Sequence, residues 1–435
     1  METLPVELLR LIFAYCDPPS VRTLREANRT LADVGYEYLL APNLSVVTWR
    51  EDVDRLLSIA QHDRLRASIA SICIYLGELS HHDGMRNSWF QHFVLPPEER
   101  NEILGSAWSS YDLIEKRRKA TKPLHYKAGD FREACSSLPN LTSVEVCFNR
   151  YPSENKVLQD VFEDATCRVL DRPRTYSNLD AIIAALDGVR LSSFKIDRLP
   201  LELFRLPEHR KHWFAHAESF DSLTTLHLTL DPSGLKGQGS AMRAVNGLGR
   251  LLQLAQNVRQ LKLAFHSYTR GNSKFVIVFK ELLYGFTYPH LTDLTLEGLS
   301  CEEHDLTDFL ARHSSTLVRL RLGGRGLAKP HEVSLGGIHL FQGTFKSLFT
   351  GLRAKLTRLE RLHLEGIFEC QHHELSSHES YNFYPLTNEA WEPVPCPKWV
   401  RTSRRTINCT PFEQYVLRGG PYPGKPFNHQ HFGGT

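Results

Sequence analysis

Leu223-Thr224-Thr225-Leu226-His227-Leu228 carries the pattern on which the fold turns, three aliphatic residues spaced L-x-x-L-x-L. Period-two alternation sends Leu226 and Leu228 to one face of a strand and Thr225, His227 and Thr229 to the other. The same triplet recurs as Ile69/Ile72/Ile74, Leu141/Val144/Val146, Leu191/Phe194/Ile196, Val258/Leu261/Leu263, Leu291/Leu294/Leu296, Leu317/Leu320/Leu322 and Leu359/Leu362/Leu364. Successive copies lie 72, 50, 32, 35, 33, 26 and 42 residues apart. Helix-period segments fill most gaps: Asn178 to Leu186, Met242 to Ala255, Phe275 to Phe286, Asp305 to Ala311 and Leu340 to Leu356.

Strands alternating with helices at a recurring interval predict an α/β chain of parallel strands, an irregular leucine-rich-repeat-like solenoid. Repeats of that kind run about 20–29 residues, so the longer intervals here imply long outer helices. A doubly wound α/β domain also alternates strands and helices, but nothing in it requires one triplet eight times. In the solenoid the residues between the aliphatics line a concave face. They are Ser193, Lys195 and Asp197, then Thr225, His227 and Thr229, then Gln260 and Lys262, then Asp293, Thr295 and Glu297. Arg319, Arg321, Arg361, His363 and Glu365 complete the face. It is polar with mixed charge, as a solvated sheet face is in any case. Arg319, Arg321 and Arg361 are candidates for an acidic or phosphorylated protein segment, because guanidinium forks pair oxyanions bidentately. His363, Lys262 and His227 join them as putative target-binding residues.

The first forty residues read differently. Leu4, Leu8, Leu11, Ile12 and Tyr15 recur at helical spacing, and Pro5 suits the first turn. Asp17-Pro18-Pro19 ends this helix. Ser20 is expected to cap a second carrying Val21, Leu24 and Leu31, and a third follows through Leu31, Val34, Tyr38 and Leu39. With the first stripe taken as core-facing, Val6, Leu9 and Phe13 are left pointing outward, an apolar patch of the kind that marks docking. An ordinary helical cap packed on the rest of the chain is the alternative.

Leu4-Pro5-Val6-Glu7-Leu8-Leu9, Leu11-Ile12-Phe13, Asp17-Pro18, Leu24, Asn28-Arg29 and Leu31 together closely resemble an F-box, of the kind found in fungal F-box proteins. Asn28 stands where many members carry Ser or Cys, and no Trp follows Arg29. The resemblance covers roughly a tenth of the chain. It implies a three-helix module that docks on the SKP-family adaptor (S-phase-kinase-associated protein) of a cullin-based ubiquitin ligase, through Leu4, Pro5, Leu8, Leu9, Ile12 and Phe13. The chain would then be a non-catalytic receptor for a target protein, without a cofactor. The alternatives are an adaptor-bound scaffold without ubiquitin transfer, or a metal-dependent hydrolase using Cys370, His372 and His373. Adjacent histidines on a loop do not converge on one ion, and no Cys/His pair at zinc-finger spacing follows.

This reading divides the chain into the helical module 1–42, a solenoid 43–370 with an insertion at about 77–135, and a terminal cap with tail at 371–435. The insertion contains His81-His82 and a polar helix from Glu98 to about Lys119, whose basic end complements the helix dipole. In the tail Trp391, Trp399, Phe412, Tyr415, Tyr422 and Phe427 suggest a cap over the last repeat. A formal charge of +3 gives no case for nucleic acid or a membrane surface. No run of eighteen apolar residues exists for a membrane span, and nothing near Met1 resembles a secretory leader. Nine cysteines without a Cys-x-x-Cys pair fit a reducing compartment, cytoplasmic or nuclear. No phosphate loop, Gly-x-Ser-x-Gly elbow or His-Glu-x-x-His pair is present; Gly234 to Gly239 reads as a turn entering a helix.

Overall fold

The computed structural model describes residues 4–80, 96–150, 152, 155–163, 168–205, 218–265, 279–283, 285–326, 334–370, 380–388, 390–394 and 407–424. Two compact units are formed. One comprises Met1–Phe162, Thr166–Lys195 and His212–Ser222, the other Glu163–Ala165, Ile196–Lys211 and Leu223–Thr435. The class is α/β, with mostly parallel strands in both. No helix among the described residues is long and apolar enough to cross a membrane.

In the first unit β1 (Asn43–Val47), β2 (Ser71–Tyr75) and β4 (Ser143–Cys147) run parallel, and the short strands β3 (Glu78–Leu79) and β5 (Arg168–Val169) pair antiparallel beside them. The aliphatic triplets stand in register. Leu44, Ile72 and Val144 form one buried row, and Val46, Ile74 and Val146 the next. β1 escapes the L-x-x-L-x-L search because Ala41 holds its leading position. Helix Asp52–Ala60 follows β1, and its Asp52 carboxylate accepts the Val47 N–H at 3.0 Å. Helix Pro97–Ala120 coincides with the polar helix expected from the sequence, yet it is not solvated all round. Ala107 and Tyr111 are buried with Val47, Trp49 and Leu158. Its basic end is also engaged, since Arg118 pairs with Glu78 and Glu115, each at 2.8 Å. His81 and His82 lie outside the described residues.

In the second unit β6 (Ser193–Pro200, from Ile196 onward), β7 (Thr225–Asp231), β8 (Gln260–Phe265), β9 (Asp293–Glu297), β11 (Arg319–Gly323) and β13 (Arg361–Cys370) are successive neighbours. From β7 to β13 all are parallel, and Leu226, Leu261, Leu294, Leu320 and Leu362 face one another across the strands. Leu228, Leu263, Leu296, Leu322 and Leu364 do the same two residues on. Ten aliphatic side chains at most 4% exposed thus form two rows of one core. Helices Gln238–Leu254, Glu303–Arg312 and Phe345–Lys355 return the chain between strands.

The L-x-x-L-x-L pattern missed β10 (Leu299–Cys301) and β12 (Ile338–Leu340), which stack parallel beside the far half of β13. It missed as well β14 (Ser380–Tyr384), antiparallel to β13, and β15 (Ile407–Asn408), parallel to β14. β10, β12 and β15 are too short to show a triplet, and β14 carries the aromatic residues Tyr381 and Phe383 where the triplet has aliphatic ones. The tail packs down through them and helix Thr410–Arg418, with Phe412 meeting Phe349, Tyr381, Phe383 and Tyr422 at ring separations of 5.0–6.1 Å. Trp399 and Phe427 lie outside the described residues.

One buried polar link is expected to make the stability of the second unit fall with acid. His313 is 1% exposed, its Nε2 accepts the Tyr288 N–H at 2.9 Å, and its Nδ1 donates to the Phe309 carbonyl at 2.8 Å. Burial pushes the imidazole below its ordinary value of 6.5, against the pull of the Phe309 hydrogen bond. The unfolded chain therefore binds a proton that the folded one resists, and this stability is present above pH 6.5 and lost as pH falls below it. Urea titrations between pH 7.5 and 5.5 should show a midpoint that falls with acid, and His313→Gln should flatten that slope.

Candidate functional site

The first surface is the leading helix, Val6–Ala14, with helices Pro18–Ala27 and Arg29–Val34 folded against it. Local chemistry sets the boundaries. Asp17, rather than Ser20, is the cap of the second helix: its carboxylate accepts the Ser20 N–H at 3.1 Å, and the Ser20 hydroxyl first and this N–H second lower the Asp17 pKa. Asn28 caps the third, accepting the Leu31 N–H at 2.8 Å, so Leu31 belongs to the third helix and not the second.

The expected orientation of the first helix is reversed. Leu9 and Phe13 are each 1% exposed, and with Val21 and Leu31 they form the core of the helical trio. Leu8, Leu11, Ile12 and Tyr15, read from the sequence as core-facing, are 41–87% exposed, and Val6 joins them. Pro5 is exposed and Leu4 half-buried. The reason is a matter of space. Phe13 stacks on Tyr38 with 5.8 Å between ring centroids, and a Cβ added to Gly35 would lie only 2.7 Å from the Phe13 ring. Only glycine leaves that slot open, and the largest side chain of the helix fills it. Of the six residues assigned to adaptor docking, Leu8, Ile12 and Pro5 are accessible, whereas Leu9 and Phe13 hold the module together.

The second surface is the polar side of strands β7 to β13. Its arrangement follows from register: Thr225, Gln260, Asp293, Arg319 and Arg361 form one cross-strand row. His227, Lys262, Thr295, Arg321 and His363 form the next. All six putative target-binding residues therefore come together in two adjacent rows, spanning roughly 19 Å at about 4.8 Å per strand.

Their availability differs. Arg319 donates from Nη2 to Asp293 Oδ2 at 2.9 Å, so its charge is already met. Arg361 is exposed, and His227 and Lys262 are half-buried. Arg321 and His363 are 8% and 2% exposed, because the chain's own Leu386–Val394 loop lies over them. The Arg321 guanidinium sits 3.9 Å from the Trp391 ring centroid and donates to the Asn388 carbonyl. The Thr387 hydroxyl is 2.8 Å from His363 Nδ1. Their role as accessible target contacts is thus corrected: they anchor the tail.

The sequence places Trp391 in a tail that caps the last repeat, but not over Arg321 and His363, because the loop rests on a backbone that tryptophan disfavours. Trp391 has φ of 64°, held by its N–H donating to Asn388 O at 3.0 Å and by Val394 N–H donating to Leu386 O at 2.8 Å. Trp391→Ala should lower stability by about 1–2 kcal/mol through the lost cation–π contact. The same change should raise the accessibility of Arg321 to a guanidine-reactive dicarbonyl, read by peptide mass.

Two further groups of side chains among the described residues could converge on a cation, Cys73/Glu145/Cys147 and Glu302/His304/Asp305. Neither includes Cys370, which is buried, and His372 and His373 lie outside the described residues. No protein-family model and no curated protein matches the chain.

Proposed function

We propose that the chain is the substrate-recognition subunit of an SCF-type, cullin-based ubiquitin ligase, resident in the cytoplasm or nucleus. The observation that carries the reading is the uncovered apolar stripe Val6, Leu8, Leu11, Ile12 and Tyr15 on a short three-helix module. Uncovered side chains of this size mark a surface for another polypeptide. The stripe differs from the one expected: of the F-box-like residues the Leu-Pro opening sits at its edge, Ile12 belongs to it and Phe13 lies beneath it. The SKP-family adaptor is the partner this reading assigns to it.

The leucine rows support a leucine-rich-repeat-like solenoid as the second half of the receptor. Its polar side, with Arg361, Lys262 and His227 accessible or half-buried, would take an acidic or phosphorylated protein segment by charge complementarity. The chain performs no chemistry in this reading. It raises the effective concentration of a target lysine near the ubiquitin thioester carried elsewhere in the assembly. The test is association of the purified full chain with purified adaptor, followed by calorimetry. Binding with a negative heat-capacity change is expected, and absence of binding at micromolar concentrations overturns the proposal.

A further inference from the structure

We propose that Cys73 and Cys147 form a peroxide-oxidised dithiol, closing to a disulfide that staples neighbouring strands β2 and β4. The two strands run parallel with Cys73 opposite Glu145 and Tyr75 opposite Cys147. Cys73 and Cys147 share the polar side of the strands, away from the buried Ile72, Ile74, Val144 and Val146. Their Sγ atoms are 3.5 Å apart. A disulfide requires about 2.05 Å, and Cys147 stands two residues past the register partner of Cys73, so closing the remaining distance of roughly 1.5 Å takes a local shift of the strand backbones together with side-chain rotation.

The surroundings suit thiolate chemistry. Arg150 Nη2 lies 2.9 Å from Cys147 Sγ and also pairs with the Glu145 carboxylate. Its cation stabilises negative charge on the sulfur pair and offsets that of Glu145. The hydrogen bond from Cys147 holds the Cys73 thiol below its ordinary value, with Tyr75 and Arg150 acting the same way and desolvation and Glu145 opposing. Cys73 is half-buried, so a small oxidant can reach it, whereas Cys147 is fully buried and is suited to resolving the intermediate. Burial raises three other thiols among the described residues and so disfavours their thiolates. Cys135 is pushed up to about 12, and Cys301 and Cys409 are raised as well. A cation held by Cys73, Glu145 and Cys147 would have to displace Arg150 from two of its three ligands, which favours redox chemistry over metal binding.

The reaction balances with one hydroperoxide per pair. The Cys73 thiolate attacks the terminal peroxide oxygen, the O–O bond breaks, and the departing alkoxide or hydroxide takes up the thiol proton, leaving a sulfenic acid on Cys73. The Cys147 sulfur then attacks Cys73 Sγ. The S–O bond breaks and hydroxide leaves as water with the Cys147 proton. Two electrons pass from the sulfur pair to the peroxide, giving one disulfide, one alcohol or water, and one further water.

The full-length protein, treated with one equivalent of hydrogen peroxide, alkylated and digested with trypsin, gives a direct readout. Peptide 67–86 carries only Cys73, and peptide 133–150 carries Cys135 and Cys147. The expected product is these two peptides crosslinked, with fragmentation placing the bond at Cys147, reversed by dithiothreitol and absent when oxidation follows denaturation in urea. Arg150→Gln should slow the crosslink about tenfold, the effect of losing a neighbouring opposite charge worth about one pKa unit. Cys147→Ser should leave a dimedone-reactive Cys73. Recovery of both peptides uncrosslinked from the oxidised wild-type protein, or a link at Cys135, would overturn the proposal whether or not the variants fold.

Discussion

Leu8→Asp combined with Ile12→Asp should abolish adaptor binding, by a hundredfold or more, while moving the unfolding midpoint hardly at all. Both side chains are over 40% exposed, so a charge there stays solvated and the fold loses within about 0.5 kcal/mol. At an interface the same charges would be buried without partners, which costs several kcal/mol. Phe13→Ala should do the opposite. It removes a ring packed on Tyr38 beside Gly35 and opens a cavity, costing about 3–5 kcal/mol of the module's stability. Calorimetry and urea titration on the same samples separate the two. Binding unchanged by the double aspartate variant would place any adaptor contact elsewhere and remove the main support for the ligase reading.

Gly366→Val should destabilise the second unit by about 4 kcal/mol or more, among the largest effects open to one substitution there. Gly366 has φ of 89°, and an added Cβ would lie 1.5 Å from the Gly336 carbonyl oxygen. It sits where β13 stops pairing with β11, at Glu365, and turns to β12 and β14. Gly337 faces the same crowding, since a Cβ added there would lie 1.7 Å from the Ile367 carbonyl oxygen, and one added to Gly323, at φ of 82°, would lie 1.8 Å from Glu365 O. Neither backbone can retreat, because each belongs to a paired strand or its edge. A conformation native only to glycine and a backbone clash therefore add at one position. Urea unfolding followed by near-ultraviolet circular dichroism checks the shift. A change below about 1 kcal/mol would mean that β12 does not pack against β13 as described.

The α/β class, the parallel pairing and the register of the strands were legible because the L-x-x-L-x-L triplet encodes side-chain alternation and burial together. A leucine at the same offset on each of β7, β8, β9, β11 and β13 leaves one alignment that buries them all, and those rows are what the fold contains. The gathering of Arg319, Arg321, Arg361, His363, Lys262 and His227 into two rows followed from the same arithmetic. Which of them faces solvent did not. The Trp391 loop that covers Arg321 and His363 is far along the chain and rests on a backbone conformation that residue type argues against.

The first helix shows the limit most plainly. Six of its eight residues from Val6 to Phe13 are apolar, so two stripes satisfy helical periodicity equally, and period alone cannot choose between them. The choice was made by shape, since only Leu9 and Phe13 face a slot opened by Gly35 and lined by Val21, Leu31 and Tyr38. Periodic patterns report which residues share a face, and that much the linear chain carries in itself. Whether a face is covered depends on side chains brought in from elsewhere, and so only the folded packing decided it.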